Sequence, residues 1–448
     1  MRKNKDPNRI RIGEKFAYFL TNIGNIPIMM LLSSFFLIFY TDIVGLDAGK
    51  IATLFLISKI MDGISDPVMG YLLDRFPVTK MGKFRPVIII GSIICAINYI
   101  LLWFGSVWIP VGKYVVVYVS YLLLGWTFDI LDIPLNSLMP VMTADQKEKN
   151  SLSVWKMVGL ILGGMIVGIV GPVIVASGTL ESYYLLIFLF TGISVVFSVV
   201  GALGVKERVP FAGTEEEKYS FKDMLGFLIA QPVIVTFIAS FCYCLASFIQ
   251  SGANSYFFTY IMGDLALMAG VSGMSMIGMV PGMILGPVIS NKIGKKKIYT
   301  VGMLIAALGF GIRIVAPTSL LLAYIGTILA GLGGGMSSTL LYAIQADNTL
   351  YIQHKTGKRA EAAIASLSSF ITKVGQGVAG AIPGYVLAAT GFQAGTQLSA
   401  ASSNGIIACV IIMPTIFAVL GALLFGLKYP ITKEDLDVMA AEVTGGAQ

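Results

Sequence analysis

Histidine and charge are what this chain has least of. One histidine, His354, and four cysteines are its whole supply of nitrogen and sulfur metal ligands. Cys95, Cys242, Cys244 and Cys409 lie in apolar stretches at spacings that match no zinc site or disulfide framework. Cys242-Tyr-Cys244 lacks the two-residue gap of a redox motif, so all four read as small buried hydrophobes. There is no HExxH run, no histidine–cysteine cluster and no soluble catalytic stretch, which argues against the rival reading of a membrane-embedded enzyme or receptor. No cofactor is expected. Asp, Glu, Lys and Arg make up only 12% of the 448 residues, about half the share found in soluble proteins.

What fills the space is apolar. Hydrophobic residues account for 56% of the chain, and runs of 18 or more recur, each long enough for a bilayer core of roughly 30 Å. The 50 glycines suit helices that approach closely in lipid. The basic start is followed by an apolar stretch too long for a cleavable signal, so none is expected. A net charge of +7 could suggest nucleic acid, but topology accounts for it and no nucleic-acid partner is predicted.

The pattern predicts an all-α polytopic protein with twelve spans, at 16–40, 50–73, 86–107, 114–141, 152–176, 182–205, 232–259, 268–290, 297–315, 319–346, 361–389 and 403–427. Positive residues gather in the N-terminal segment, in every even-numbered loop and in the tail, whereas the opposite loops offer only Lys50 and Lys113. That bias predicts both termini in the cytoplasm of a cell whose inner membrane holds the protein. The expected organisation is an N-terminal six-helix bundle (1–205), a cytoplasmic linker (206–231), a C-terminal six-helix bundle (232–430) and a tail (431–448). Within the linker, Phe221–Leu228 is apolar-rich and reads as a segment along the membrane surface. A weak repeat links the halves: Gly82-Lys83 follows the second helix, and Gly294-Lys295 follows the eighth.

Inside these spans lie polar residues that lipid should forbid. Lys59, Asp62 and Asp66 fall on one helical face of the second span. A charge in hydrocarbon costs about 2.5–3.5 kcal/mol on insertion scales. Leucines would pack as well without that penalty, so the stripe points to a cation or proton that visits it. The alternative is a structural ion-pair network. Asp129, Asp132 and Asn136 form a second stripe in the fourth span, where Pro134 frees a carbonyl one turn back that a hard cation could use. Pro67 repeats the device beside Asp66. Lys156 either joins these acids or snorkels to the interface. Lys373, with Gln376 on nearly the same face, must be paired or face a wet cavity. Gln250 and Asn254 could bind hydroxyls or glue helices together. Arg313 is expected to snorkel, and His354 to lie in a cytoplasmic loop.

Together these segments resemble the glycoside–pentoside–hexuronide:cation symporter family, to which melibiose permease belongs. The resemblance rests on Lys59-Ile-Met-Asp62-Gly-Ile-Ser65-Asp66-Pro67-Val-Met-Gly70, running on to Gly82-Lys83-Phe84-Arg85-Pro86. Tyr40-Thr41-Asp42, Asp132-Ile133-Pro134, Ala346-Asp347, Lys355 to Glu361 and Lys373 match in the same order along the chain. The resemblance implies a major facilitator fold of two pseudo-symmetric bundles. It also implies a monovalent cation, sodium or proton, at Asp62 and Asp66 (the predicted metal ligands), with Ser65, Asp129 and Asp132 nearby. Lys59 and Lys373 are then coupling residues. The expected contacts for a small sugar or glycoside are Asp132, Asn25, Asn136, Lys156, Gln250, Asn254, Lys373 and Gln376.

Several departures matter. Ser65 stands where melibiose permease has an asparagine, Asp129 where it has a threonine, and Asn136 where it has a tryptophan near the sugar. Asn25-Ile26 replaces a lysine–aspartate pair. An added acid with one amide fewer tilts the reading toward protons, and a galactoside should not be assumed. The expected protein is a monomeric symporter in a lipid bilayer. Lipid-like cargo on the same fold is the alternative.

Overall fold

The computed structural model describes residues 9–209, 226–227, 229–357 and 361–445. The side chains of Asp66 and Pro67 lie outside that description, so what was expected of them at the cation site is not placed. The surface segment expected at Phe221–Leu228 also lies outside it, apart from Gly226 and Phe227.

The first compact unit, Met1–Glu215, contains α1 (Ile12–Ile38), α2 (Ala48–Asp74), α3 (Phe84–Trp108), α4 (Lys113–Met142), α5 (Gln146–Val175) and α6 (Leu180–Gly204). The second, Glu216–Gln448, contains α7 (Gln231–Tyr256), α8 (Leu267–Ile293), α9 (Lys295–Gly311), α10 (Leu320–Thr356), α11 (Glu361–Ala389), α12 (Ala400–Lys428, with a π turn at Ala408–Ile412) and α13 (Lys433–Gly445). Among the described residues ten helices are long and apolar enough to cross a membrane. Of the twelve long helices, α2 and α11 are the two outside that set, and they carry Lys59, Asp62 and Lys373. The chain is an all-α polytopic membrane protein.

The pattern of exposure is that of a protein packed in lipid. Along α3, Ile90, Ile93, Ile94, Ile97 and Leu101 stand exposed on one face, while Cys95, Tyr99, Leu102 and Trp103 are buried on the other. Both faces are apolar, which a water-facing helix would not tolerate. Small residues set the closest approaches. Gly278 and Gly282 of α8 meet the carbonyls of Ile328 and Leu332 on α10, and Gly331 and Gly335 of α10 meet those of Ser275 and Met279 on α8. A Cβ at Gly282 would sit 2.2 Å from the Leu332 oxygen, so only glycine lets these backbones touch.

Both units open with the same device. α1 ends in a π turn, Phe39–Ile43, and α7 in another, Phe257–Ile261. Their sequences, FYTDI and FFTYI, are each followed two residues later by a glycine with positive φ, Gly45 (76°) and Gly263 (78°). The closing bonds also correspond: Val44 N–H to Phe39 O at 3.2 Å, and Met262 N–H to Phe257 O at 3.0 Å. This repeat is sharper than the Gly-Lys pair noted in the sequence, and it is readable there once aligned.

Helix ends differ from expectation in two places. α10 runs to Thr356, ten residues past the predicted 346, because its polar continuation finds partners. Asp347 accepts from Lys295 at 2.6 and 2.8 Å, and Asn348 donates to Thr236 Oγ1 at 3.0 Å. Lys355 and His354 therefore belong to a helix rather than a loop, with His354 Nε2 2.5 Å from Glu442 Oε2. The tail contains α13, whose start is capped by Thr432 and Asp435 bonding reciprocally at 2.7–3.3 Å.

Candidate functional site

The acids of α2 and α4 meet inside the first unit. On α2, Lys59 Nζ lies 2.7 Å from Asp62 Oδ2, one turn on. Both side chains keep some exposure, 21% and 16%, so the pair is part-buried rather than sealed. Asp62 Oδ1 points at α4, where a Cβ on Gly125 would be 2.5 Å away; the glycine makes room for the carboxylate. One turn further, the buried Ser65 donates from Oγ to Asp129 Oδ2 on α4 at 2.7 Å. Asp62, Asp132 and Lys59 are all close enough to act on Asp129 electrostatically.

From Asp132 the network runs toward α1 and α5. Asn25 Nδ2 of α1 donates to Asp132 Oδ1 at 2.6 Å. Asn136 Nδ2 donates to Asp132 Oδ2 at 2.9 Å and to its backbone carbonyl at 3.0 Å. Lys156 of α5 reaches Asn136 Oδ1 at 2.6 Å, an amide that in turn donates to Asp132. The carbonyl oxygen of Asn25 is buried and has no hydrogen-bond partner among the described residues.

Eight of the sequence-selected residues thus form two bonded groups that meet where Asp129 and Asp132 lie one turn apart on α4: Lys59, Asp62, Ser65 and Asp129, and Asn25, Asp132, Asn136 and Lys156. Their three described acids face two lysines, which leaves one negative charge. Like charges at this range repel, and a single cation or proton relieves them. Among the described residues no three His, Cys, Asp or Glu side chains form a group able to hold a metal ion. A cation here would draw on hydroxyl and amide oxygens as well as carboxylates.

One expectation for this site is corrected. The carbonyl freed by Pro134, that of Ile130, lies on the face of α4 that packs on α3: a Cβ at Gly91 would be 2.8 Å from it. That carbonyl therefore faces the helix contact with α3 and not the acids.

Besides Asp66, whose side chain is not described, the remaining four selected residues belong to the second unit. Gln250 of α7 donates to the Val410 carbonyl at 3.3 Å, and Asn254 Oδ1 is buried without a partner among the described residues. Lys373 and Gln376 are half-buried on α11, which packs on α7. Arg313 does not snorkel. It sits in the 3-10 turn Ile312–Ile314 that ends α9 and is only 1% exposed, over the ring of Phe257 at 4.7 Å. Its place near a helix end suggested the interface, and no neighbouring charge in the sequence marked it as buried.

Comparison with known proteins bears on this arrangement. A family described as MFS/sugar transport protein matches residues 17–433. The "Uncharacterized symporter YjmB" of Bacillus subtilis (strain 168) is 27% identical, over 95% of this chain and 94% of its own. The "Isoprimeverose transporter" of Lactiplantibacillus pentosus is 28% identical, over 89% and 85%. Among solved structures, an inward-facing, unoccupied bacterial homologue of the human lysosomal transporter Spinster superposes with a TM-score of 0.67. It covers 93% of this chain and 96% of its own at 14% identity, a likeness that speaks to the fold alone.

Proposed function

Since the chain belongs to the MFS/sugar transport protein family, and is thereby a membrane transporter and not an enzyme, we propose that it is a cation-coupled symporter of a sugar or glycoside, of the glycoside–pentoside–hexuronide type. In this reading all twelve long helices cross the inner membrane, with both termini cytoplasmic, and one monomer moves its cargo by alternating access.

The observation that carries the reading is the pair of bonded groups, Lys59 to Asp129 and Asp132 to Lys156, that meet on α4 with three acids against two lysines in the middle of helices α2, α4 and α5. The cation occupies the Asp62, Ser65 and Asp129 end, with Asp66 contributing from the same helix. Once one charge there is neutralised, Asp132 is free to accept hydroxyl donors from a sugar, and such charge-assisted bonds are the stronger kind. Asn25 offers its unpartnered carbonyl oxygen to another hydroxyl, and Asn136 and Lys156 hold Asp132 in place. Gln250, Asn254, Lys373 and Gln376 are further candidate hydroxyl-binding groups, within the second unit. Cation and sugar then favour each other's binding, as linkage requires. The family resemblance and the names of two relatives, a symporter and a transporter of isoprimeverose, support the substrate class.

The composition of the cation end favours a proton over sodium. Asp129 adds a carboxylate beside Asp62, Ser65 brings a hydroxyl rather than an amide oxygen, and clustered like charges favour taking up a proton. Uptake of labelled mono- and disaccharides and glycosides into proteoliposomes, driven by either a pH or a sodium gradient, tests both points. A pH gradient should drive accumulation that is unaffected by sodium. If Asp62→Asn and Asp66→Asn both leave coupling intact, the assignment of the cation site fails.

A further inference from the structure

The second unit holds a partly open cavity of about 240 Å³, of whose lining the transport reading takes up only Gln250. It lies among α7, α8, α9 and α10, and its polar lining includes Ser247, Gln250, Ser275, Thr327, Ser338 and Arg313. Among the described residues no carboxylate lines it. Arg313 is 1% exposed, and its Nε and Nη2 are buried without a hydrogen-bond partner among the described residues. Its guanidinium lies over the Phe257 ring, 4.7 Å away, in the π turn that ends α7.

A guanidinium cannot shed its charge and offers five donors in a rigid fork. A buried, unpaired ion is costly, and breaking a buried pair leaves that cost unmet. Its usual partner, a carboxylate, is not supplied by the surrounding helices. The hydroxyls of Ser247, Ser275 and Thr327 add further donors around the same space. We infer that this cavity is an anion-binding site, in which Arg313 pairs with a small singly charged anion. The ligand is a halide, or the carboxylate or sulfonate of a compact molecule. The volume falls below the range of typical small-molecule pockets, which fits a small ion and its water rather than a whole disaccharide. The inference concerns a site within the second unit and stands whether or not the proposed cation site is right.

Anion binding is measured on the purified full chain in lipid nanodiscs, by thermal stability in titrations of bromide, acetate and methanesulfonate at constant ionic strength. Wild type should show saturable stabilisation by at least one of them. Arg313→Met should lose that response, weakening apparent affinity by about tenfold or more, as the loss of a charged hydrogen-bonding partner implies; Arg313→Lys should keep part of it. Bromide binding identifies a free inorganic ion as the source. Response to acetate or methanesulfonate alone identifies the acid group of an organic ligand. If Arg313→Met does not fold, the pair Ser275→Ala and Thr327→Val replaces it and should weaken the same titration. A diffraction or cryo-microscopy map of wild type with bromide should place the ion beside Arg313. Titrations that do not saturate, or that are identical in wild type and the variants, overturn the inference.

Discussion

The two units begin alike and end their second turn in opposite ways. In the first, Gly82 (φ 106°) follows α2, and the amino end of α3 is covered by a carboxylate. Glu207 accepts from the backbone N–H groups of Lys83, Phe84 and Arg85 at 2.8, 2.9 and 3.0 Å. In the second, Gly294 (φ 93°) follows α8, and α9 opens with Lys295, Lys296 and Lys297. A helix amino terminus favours anions and disfavours lysines. The lysines are held by distant acceptors: Lys295 by Asp347, and Lys296 by the Tyr429 carbonyl at 2.6 Å. The same contrast holds deeper in each unit. α2 and α4 carry clustered acids, whereas α8 carries no acid and touches α10 through glycine. In the proposed reading the first unit's excess negative charge is met by a mobile cation. The second is left with a buried positive one. A duplicated frame can thus diverge to hold ligands of opposite sign.

The sharpest way to break the comparison is to remove the acid the second unit lacks. Across about 100 mV, one moved charge contributes roughly 2.3 kcal/mol, enough for about a fortyfold sugar gradient. Asp62→Asn should reduce accumulation driven by that potential to near unity while equilibrium sugar exchange persists. Gradient-driven and exchange uptake measured in the same vesicles check this.

Next comes the cap. Glu207→Ala strands three amide donors at once and should cost about 3 kcal/mol of stability, read from unfolding in detergent. Glu207→Gln, which keeps one acceptor oxygen, should lose less. An equal loss in both would mean that the charge alone matters. For the glycine contact, Gly282→Ala forces a methyl against the Leu332 oxygen and should cost about 1–3 kcal/mol by the same measurement. An unchanged melting temperature would show that α8 and α10 have room to part. Asp347→Asn should have the smallest effect. Lys295 is 31% exposed, so its pair is partly screened and contributes about 1 kcal/mol at low salt. Raising the ionic strength should shrink the difference between Asp347→Asn and wild type.

Much of the candidate site was legible because lipid makes polar residues conspicuous. Lys59, Asp62, Asp129 and Asp132 stand out in apolar runs, and helical periodicity alone puts each set on one face. That Ser65 bonds Asp129, or that Lys156 bonds Asn136, depends on which helices are neighbours, and no local pattern encodes that. Lys156 could equally have pointed to the interface. The same ignorance misled the reading of Pro134, whose freed carbonyl goes to α3, and of Arg313, whose depth is invisible from its distance to a helix end. The end of α10 was missed for a related reason. Hydropathy falls at Asp347, but the helix continues because Lys295 and Thr236 wait across the unit.

By itself the sequence determined the solvent, the helices and the residues that would be expensive to bury, since each follows from composition and from periods of a few residues. Tertiary packing decided which charges are shared, which carbonyls are covered and which guanidinium nitrogens are buried without a partner among the described residues. Those outcomes depend on contacts between segments tens to hundreds of residues apart, where a shift of one helical turn would bring a different side chain to the same point.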